Sequence, residues 1–117
     1  MKQLTEKIKQ EAFALGFIGI GFSSPSKPPF LDEFKSWLSD RKNADMSWLE
    51  RNLQLREDPS LLLEGCRTII SLAYPYPSNK PCTTDGLTVS RYSRPDREDY
   101  HYILKKICEK IVNILKE

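Results

Sequence analysis

At 117 residues, with 39% hydrophobic and 29% charged side chains, the chain has room for one domain with a modest core. Its 18 basic and 16 acidic residues leave a net charge of +2. That balance is too even to argue for nucleic acid by charge alone, since phosphate binding needs a clustered basic surface. No run approaches the roughly 18 apolar residues of a membrane span, and residues 1–7 lack the apolar centre of a signal peptide. A cytoplasmic protein with no membrane partner is the expectation.

Leu4, Ile8, Ala12 and Leu15 recur at helical spacing and predict an amphipathic helix over residues 2–15, closed by Gly16. Residues 17–22 form a short apolar run of strand character. Its glycines, Gly19 and Gly21, suit close packing or, less specifically, a phosphate loop, although no GxGxxG is present. Proline and serine make residues 23–29 a loop. Phe30, Leu31, Phe34, Trp37 and Leu38 then share one face of a helix reaching about Lys42. A short helix over residues 46–51 follows, with Asp45 as its cap, and Phe34, Trp37 and Trp48 read as core.

Asp58-Pro59 has the form of a cap followed by proline at the first helical position, with Gly65 ending the turn. Arg56 stands just before it, free to face a ligand or to pair with Glu57 or Asp58. Residues 68–74 are the strongest strand candidate and read as central, covered on both faces. Residues 75–86 form a loop, and residues 87–92 a further strand. Asp96 is the expected cap of a final helix whose apolar face carries Ile103, Leu104, Ile107, Cys108, Ile111, Ile114 and Leu115. This makes an α/β or α+β-like domain, a small sheet of a few strands flanked by helices.

Chemistry-bearing residues gather between that last strand and helix: Arg91, Arg94 and Arg97, acidic residues, Tyr92, Tyr100 and the only histidine, His101. The arginines suit phosphates or a solvated turn. His101 beside Asp99 suits proton handling or a structural hydrogen bond. Cys66, Cys82 and Cys108 lack CxxC spacing, so no metal site is expected, and Cys66 and Cys108 read as buried thiols.

Leu15-Gly16-Phe17, then Met46, Trp48, Leu49 and Glu50, then Arg56-Glu57-Asp58-Pro59 resemble the opening of the epoxyqueuosine reductase family. The likeness continues through Leu63, Gly65-Cys66-Arg67-Thr68-Ile69-Ile70, Leu72, Tyr74, Arg91-Tyr92 and Asp99-Tyr100-His101. The series R-x-D-P, Y-P, R-Y-S, D-Y-H carries it, over residues 4 to 117. The resemblance implies reduction of epoxyqueuosine to queuosine in tRNA, with cobalamin and two [4Fe–4S] clusters. It implies a cobalamin-binding fold similar to that of reductive dehalogenases. Arg56, Ser90 and Arg91 would touch the corrinoid, and Asp99, Tyr100 and His101 would shape its pocket or the approach of the tRNA base. The CxxCxxCxxxCP cluster ligands and the expected proton-donor aspartate of the family are missing from this sequence, so it looks like the N-terminal part of the reductase, incomplete as a cobalamin domain. Two rivals stand beside this reading: a corrinoid-binding domain without activity, and an interaction domain that docks or self-associates through Ile107 and Ile111 of the final helix.

Overall fold

A computed structural model describes residues 2–76, 82–93 and 98–116. Among the described residues four α-helices and two strands run in the order α1 (Lys2–Ala14), β1 (Gly19–Ser23), α2 (Leu31–Ser39), α3 (Leu53–Glu57), β2 (Ile69–Ala73) and α4 (Tyr100–Lys116). Two 3-10 turns, Ser47–Leu49 and Pro59–Leu62, flank α3. The chain divides into two compact units: Met1–Gly21 with Ser71–Glu117, and Phe22–Ile70.

In the first unit α1 ends as its sequence dictates. Gly16 takes φ 97, the Phe17 N–H reaches the Ala12 carbonyl at 3.1 Å, and the Gly16 N–H reaches the Phe13 carbonyl at 3.1 Å. These two bonds make a Schellman closure, which requires a left-handed residue at the position of Gly16. The closure turns Phe17, only 3% exposed, inward. There it joins Ile8, Ala12 and Ile111 as the buried core, since α1 packs against α4. Tyr74 meets Phe17 edge to face at 5.6 Å. Ile111 is thus covered within the chain, which removes it from the expected docking face.

The strands β1 and β2 form a two-stranded sheet. The start of β1 lies beside the end of β2, with the Ile18 N–H bonded to the Ala73 carbonyl at 2.8 Å, so the pairing is antiparallel. The fold class is therefore α+β, and among the described residues the sheet has two strands where a few were expected. Two further expectations fail here. No residue of β2 is fully buried, so it is not a central strand covered on both faces: an apolar run reports β character but not the number of neighbours. Residues 87–92 are not a strand among the described residues. They keep a single antiparallel bridge between Cys82 and Thr88. The Thr83 side chain bonds Asp85 and both the N–H and carbonyl of Leu87, which bends the chain back on itself.

In the second unit α2 is followed by a chain reversal built on Arg41 at φ 55, with the Lys42 N–H bonded to the Trp37 carbonyl. Asn43, 1% exposed, donates from Nδ2 to Glu50 Oε1 at 2.8 Å and more weakly to the Met46 carbonyl at 3.4 Å. This strap holds residues 43–50 together. The turn at Ser47–Leu49 has Met46, not Asp45, at its cap position, and no side chain caps it. Asp45 offers its backbone carbonyl to Ser47 instead. Trp48 is 57% exposed and so lies outside the core, whereas Phe34 and Trp37 are half-buried and stacked at 6.1 Å. Cys66 and Cys108 are half-buried rather than buried, and Cys82 is exposed; all three are free. No described helix is long and apolar enough to cross a membrane.

Candidate functional site

The residues expected at the site fall in both units. Arg56 belongs to the second. It occupies the last turn of α3, whose partner is the 3-10 turn Pro59–Leu62. That turn starts as the sequence predicts: Asp58 Oδ1 accepts the Ser60 N–H at 3.1 Å and the Ser60 hydroxyl, with Pro59 at the first position. Glu57 turns the other way, its Oε2 at 2.9 Å from Lys35 Nζ and its Oε1 at 3.9 Å from Lys27 Nζ. Arg56 therefore pairs with neither acidic neighbour. Its guanidinium lies over the Phe34 ring, 5.7 Å from the centroid.

The other five residues lie in the first unit. Ser90 and Arg91 sit in a turn closed by the Ser93 N–H on the Ser90 carbonyl at 2.9 Å, not at a strand end. Asp96, with Arg94 and Arg97, lies outside the described residues. The observed start of α4 is Tyr100, and Asp99 does the capping: its Oδ1 accepts the His101 backbone N–H at 2.8 Å. The same oxygen meets His101 Nδ1 at 2.7 Å. A carboxylate can only accept, so Nδ1 is the donor in this pair, and the rest of the His101 side chain is exposed. The backbone bond from His101, followed by its side-chain bond, holds the Asp99 carboxyl below its ordinary value of 3.8.

Tyr100 stacks on the His101 ring at 4.0 Å and meets Tyr92 edge-on at 5.6 Å. The structure thus brings Tyr92, Asp99, Tyr100 and His101 into one exposed aromatic and imidazole cluster, with Arg91 one residue from Tyr92. Sequence reasoning placed Tyr92 on a strand and missed its contact with Tyr100. It also missed Phe34 as the seat of Arg56; the only available signal was Phe34 at the second turn of an amphipathic helix. A shallow depression of about 500 Å³ against α2 is lined by Lys35, Leu38, Ser39, Arg41, Glu50 and Leu53, and none of the expected site residues lines it. Among the described residues no group of three or more His, Cys, Asp or Glu could hold a metal ion.

The described residues thus give an α+β fold with Arg56 over Phe34 in one unit and the Tyr92, Tyr100 and His101 cluster in the other. Comparison with known proteins makes this specific. Residues 56–117, more than half of the chain, match the family described as Epoxyqueuosine reductase QueG, DUF1730. The chain therefore belongs to that family. The matched segment contains all six expected site residues.

Among curated relatives, the epoxyqueuosine reductase of Cellulophaga algicola is 29% identical over 97% of this chain and 37% of that protein. The Escherichia coli enzyme is 28% identical over 100% of this chain and 32% of its own length. The Bacillus anthracis enzyme is 33% identical over 96% of this chain and 31% of its own. The chain thus spans about a third of the length of these relatives. A solved epoxyqueuosine reductase from Bacillus subtilis, with its catalytic loop swung out of the active site, superposes with a TM-score of 0.72 at 25% identity. It covers 98% of this chain and 32% of that one. A crystal structure of epoxyqueuosine reductase with an epoxyqueuosine-modified stem loop of tyrosine tRNA gives a TM-score of 0.73 at 24% identity, over 98% and 32% of the two chains.

Proposed function

We propose that this chain forms the N-terminal portion of a cytoplasmic epoxyqueuosine reductase, which reduces epoxyqueuosine to queuosine in tRNA. The observation that carries the reading is the family match over residues 56–117, supported by a fold likeness that covers nearly the whole chain. In this reading the cofactor is cobalamin, held in a fold similar to that of reductive dehalogenases, with electrons arriving through [4Fe–4S] clusters.

The residues differ in how they fit these groups. A [4Fe–4S] cluster takes four thiolates and this sequence has three widely spaced cysteines, so the chain does not supply such a site. Cobalamin fits better. Its amide oxygens and tail phosphate are acceptors, and Arg56 and Arg91 are exposed donors with no carboxylate partner among the described residues. When bound, cobalamin supplies the low-valent metal that performs the reduction. The chain's own residues then position and protonate. Arg56 and Arg91 bind acceptor oxygens. Tyr92 and Tyr100 offer ring faces and edges to a heteroaromatic group. Asp99 fixes the His101 ring so that Nε2 faces outward, where it can hold a proton. In the isolated chain, the exposed Val112 and Leu115 of α4 favour self-association.

The test is a chimera in which this chain replaces the corresponding third of the Escherichia coli reductase, expressed in cells lacking their own enzyme. Digested tRNA is analysed by mass spectrometry. Queuosine should reappear, and Arg56→Ala and His101→Ala should reduce its yield. Persistence of epoxyqueuosine with a soluble, cobalamin-loaded chimera overturns the proposal.

A further inference from the structure

The local chemistry around Arg56 poses a specific question. An arginine followed by Glu57 and Asp58 has two carboxylates within easy reach, yet it uses neither. Both are already engaged. Glu57 is held by Lys35 at 2.9 Å and by Lys27 at 3.9 Å, and Asp58 by the N–H and hydroxyl of Ser60. The guanidinium instead lies over Phe34, whose ring also stacks with Trp37 at 6.1 Å and 16°. Phe34 is half-buried and Arg56 exposed. Because Arg56 is exposed, its N–H donors remain accessible to solvent beside that ring.

We propose that Phe34, together with the Lys35–Glu57 ion pair, is a positioning device that keeps Arg56 ready for the paired oxygens of a phosphodiester. Phe34 restricts the side chain so that less rotamer freedom is lost on binding. Lys35 occupies the carboxylate that would otherwise compete for the guanidinium. The fork of donors matches two phosphate oxygens in a bidentate pair. The choice of a phosphodiester rests on the proposed function, in which the cobalamin tail and the tRNA backbone both carry that linkage.

The experiment follows the Arg56 Nε–Hε resonance of the full 117-residue chain, labelled with ¹⁵N-arginine, during titration with dimethyl phosphate. A saturable shift is expected. Phe34→Leu should weaken the affinity about two- to fivefold, the scale of an exposed cation–π contact, and Phe34→Tyr should restore it. Lys35→Met should weaken it as well, because Glu57 is then released to compete. Since Lys35 is partly exposed, that variant keeps the test available if Phe34→Leu unfolds the second unit. Cobalamin against cobinamide, which lacks the phosphodiester, and an RNA stem loop identify the source of the anion. No saturable Arg56 response overturns the inference, as does an affinity unchanged in both Phe34→Leu and Lys35→Met. Because no turnover is measured, failure here with queuosine restored by the chimera refutes the positioning device alone. The reverse pattern refutes the family function alone.

Discussion

Asn43 is the one buried polar side chain among the described residues, and its replacement tests how the second unit is held together. Asn43→Ala removes the 2.8 Å bond to Glu50 and the longer one to the Met46 carbonyl. A hydrogen bond to a charged group is worth about 1.5–3 kcal/mol. Glu50 is exposed and regains water, which favours the lower half of that range, while the small void left by the amide adds back. The expected loss is about 2 kcal/mol, or roughly 6–12 °C in Tm for a chain of this size.

Both tryptophans, Trp37 and Trp48, lie in Phe22–Ile70, so intrinsic fluorescence in a urea titration reads the unit that contains the strap. A loss below about 0.5 kcal/mol, the level of an ordinary surface change, would refute the strap. Asn43→Asp sharpens the test by facing a buried carboxylate against Glu50. Repulsion and burial raise the folded pKa of such a group above its unfolded value, so its penalty grows as pH rises through the unfolded value. The penalty should vanish in acid below the carboxylate range. Asn43→Asp should therefore lag wild type most at neutral pH and converge on it only below about pH 3.

Three further outcomes are expected. Gly16→Ala places a Cβ at φ 97, only 3.4 Å from the Tyr74 ring, and should cost about 1–2 kcal/mol through the left-handed backbone; thermal unfolding by circular dichroism measures it, and wild-type stability would contradict the Schellman closure. Asp58→Ala removes the cap of the Pro59–Leu62 turn and should lower stability by about 0.5–2 kcal/mol, with Asp58→Ser losing less. Asp99, held below 3.8, contributes to the start of α4 above its unfolded pKa and should lose that contribution as pH falls through its lowered folded value. The protection factors of the His101 and Tyr102 amides should fall only in that acid window; protection unchanged through it would contradict the Asp99 cap.

Local chemistry was what the sequence made legible. Gly16 after an amphipathic run, and Asp58 before Pro59, each specify a helix boundary with residues a few positions apart, and both appear as predicted. Asp58 caps a tighter 3-10 turn because only four residues follow before the chain extends at Leu63. Misreadings came where the answer depends on distant partners. The composition of residues 68–74 supports β structure, but whether a strand is central depends on neighbours that no local pattern encodes. Residues 87–92 look extended until the hydroxyl of Thr83, itself bonded to Asp85, captures the backbone of Leu87. Trp48 is apolar enough for a core, yet the reversal at Arg41 and Asn43 leaves it facing water. At the candidate site the pairing of Asp99 with His101 was readable from their two-residue spacing. The seat of Arg56 on Phe34 was not, since it joins residues on two separate helices.

The division of the chain has a consequence during synthesis. Phe22–Ile70 is continuous, whereas the first unit joins Met1–Gly21 to a segment that starts at Ser71. Every contact inside Phe22–Ile70 can therefore form as soon as that stretch leaves the ribosome. Ile8, Ala12 and Phe17 cannot meet Ile111 until α4 has been translated, about 40 residues after Ile70, or roughly 2–8 s at about 5–20 residues per second. For that interval the apolar side of α1 is a nascent-chain surface open to chaperones, and the first residues made are among the last to find their native partners.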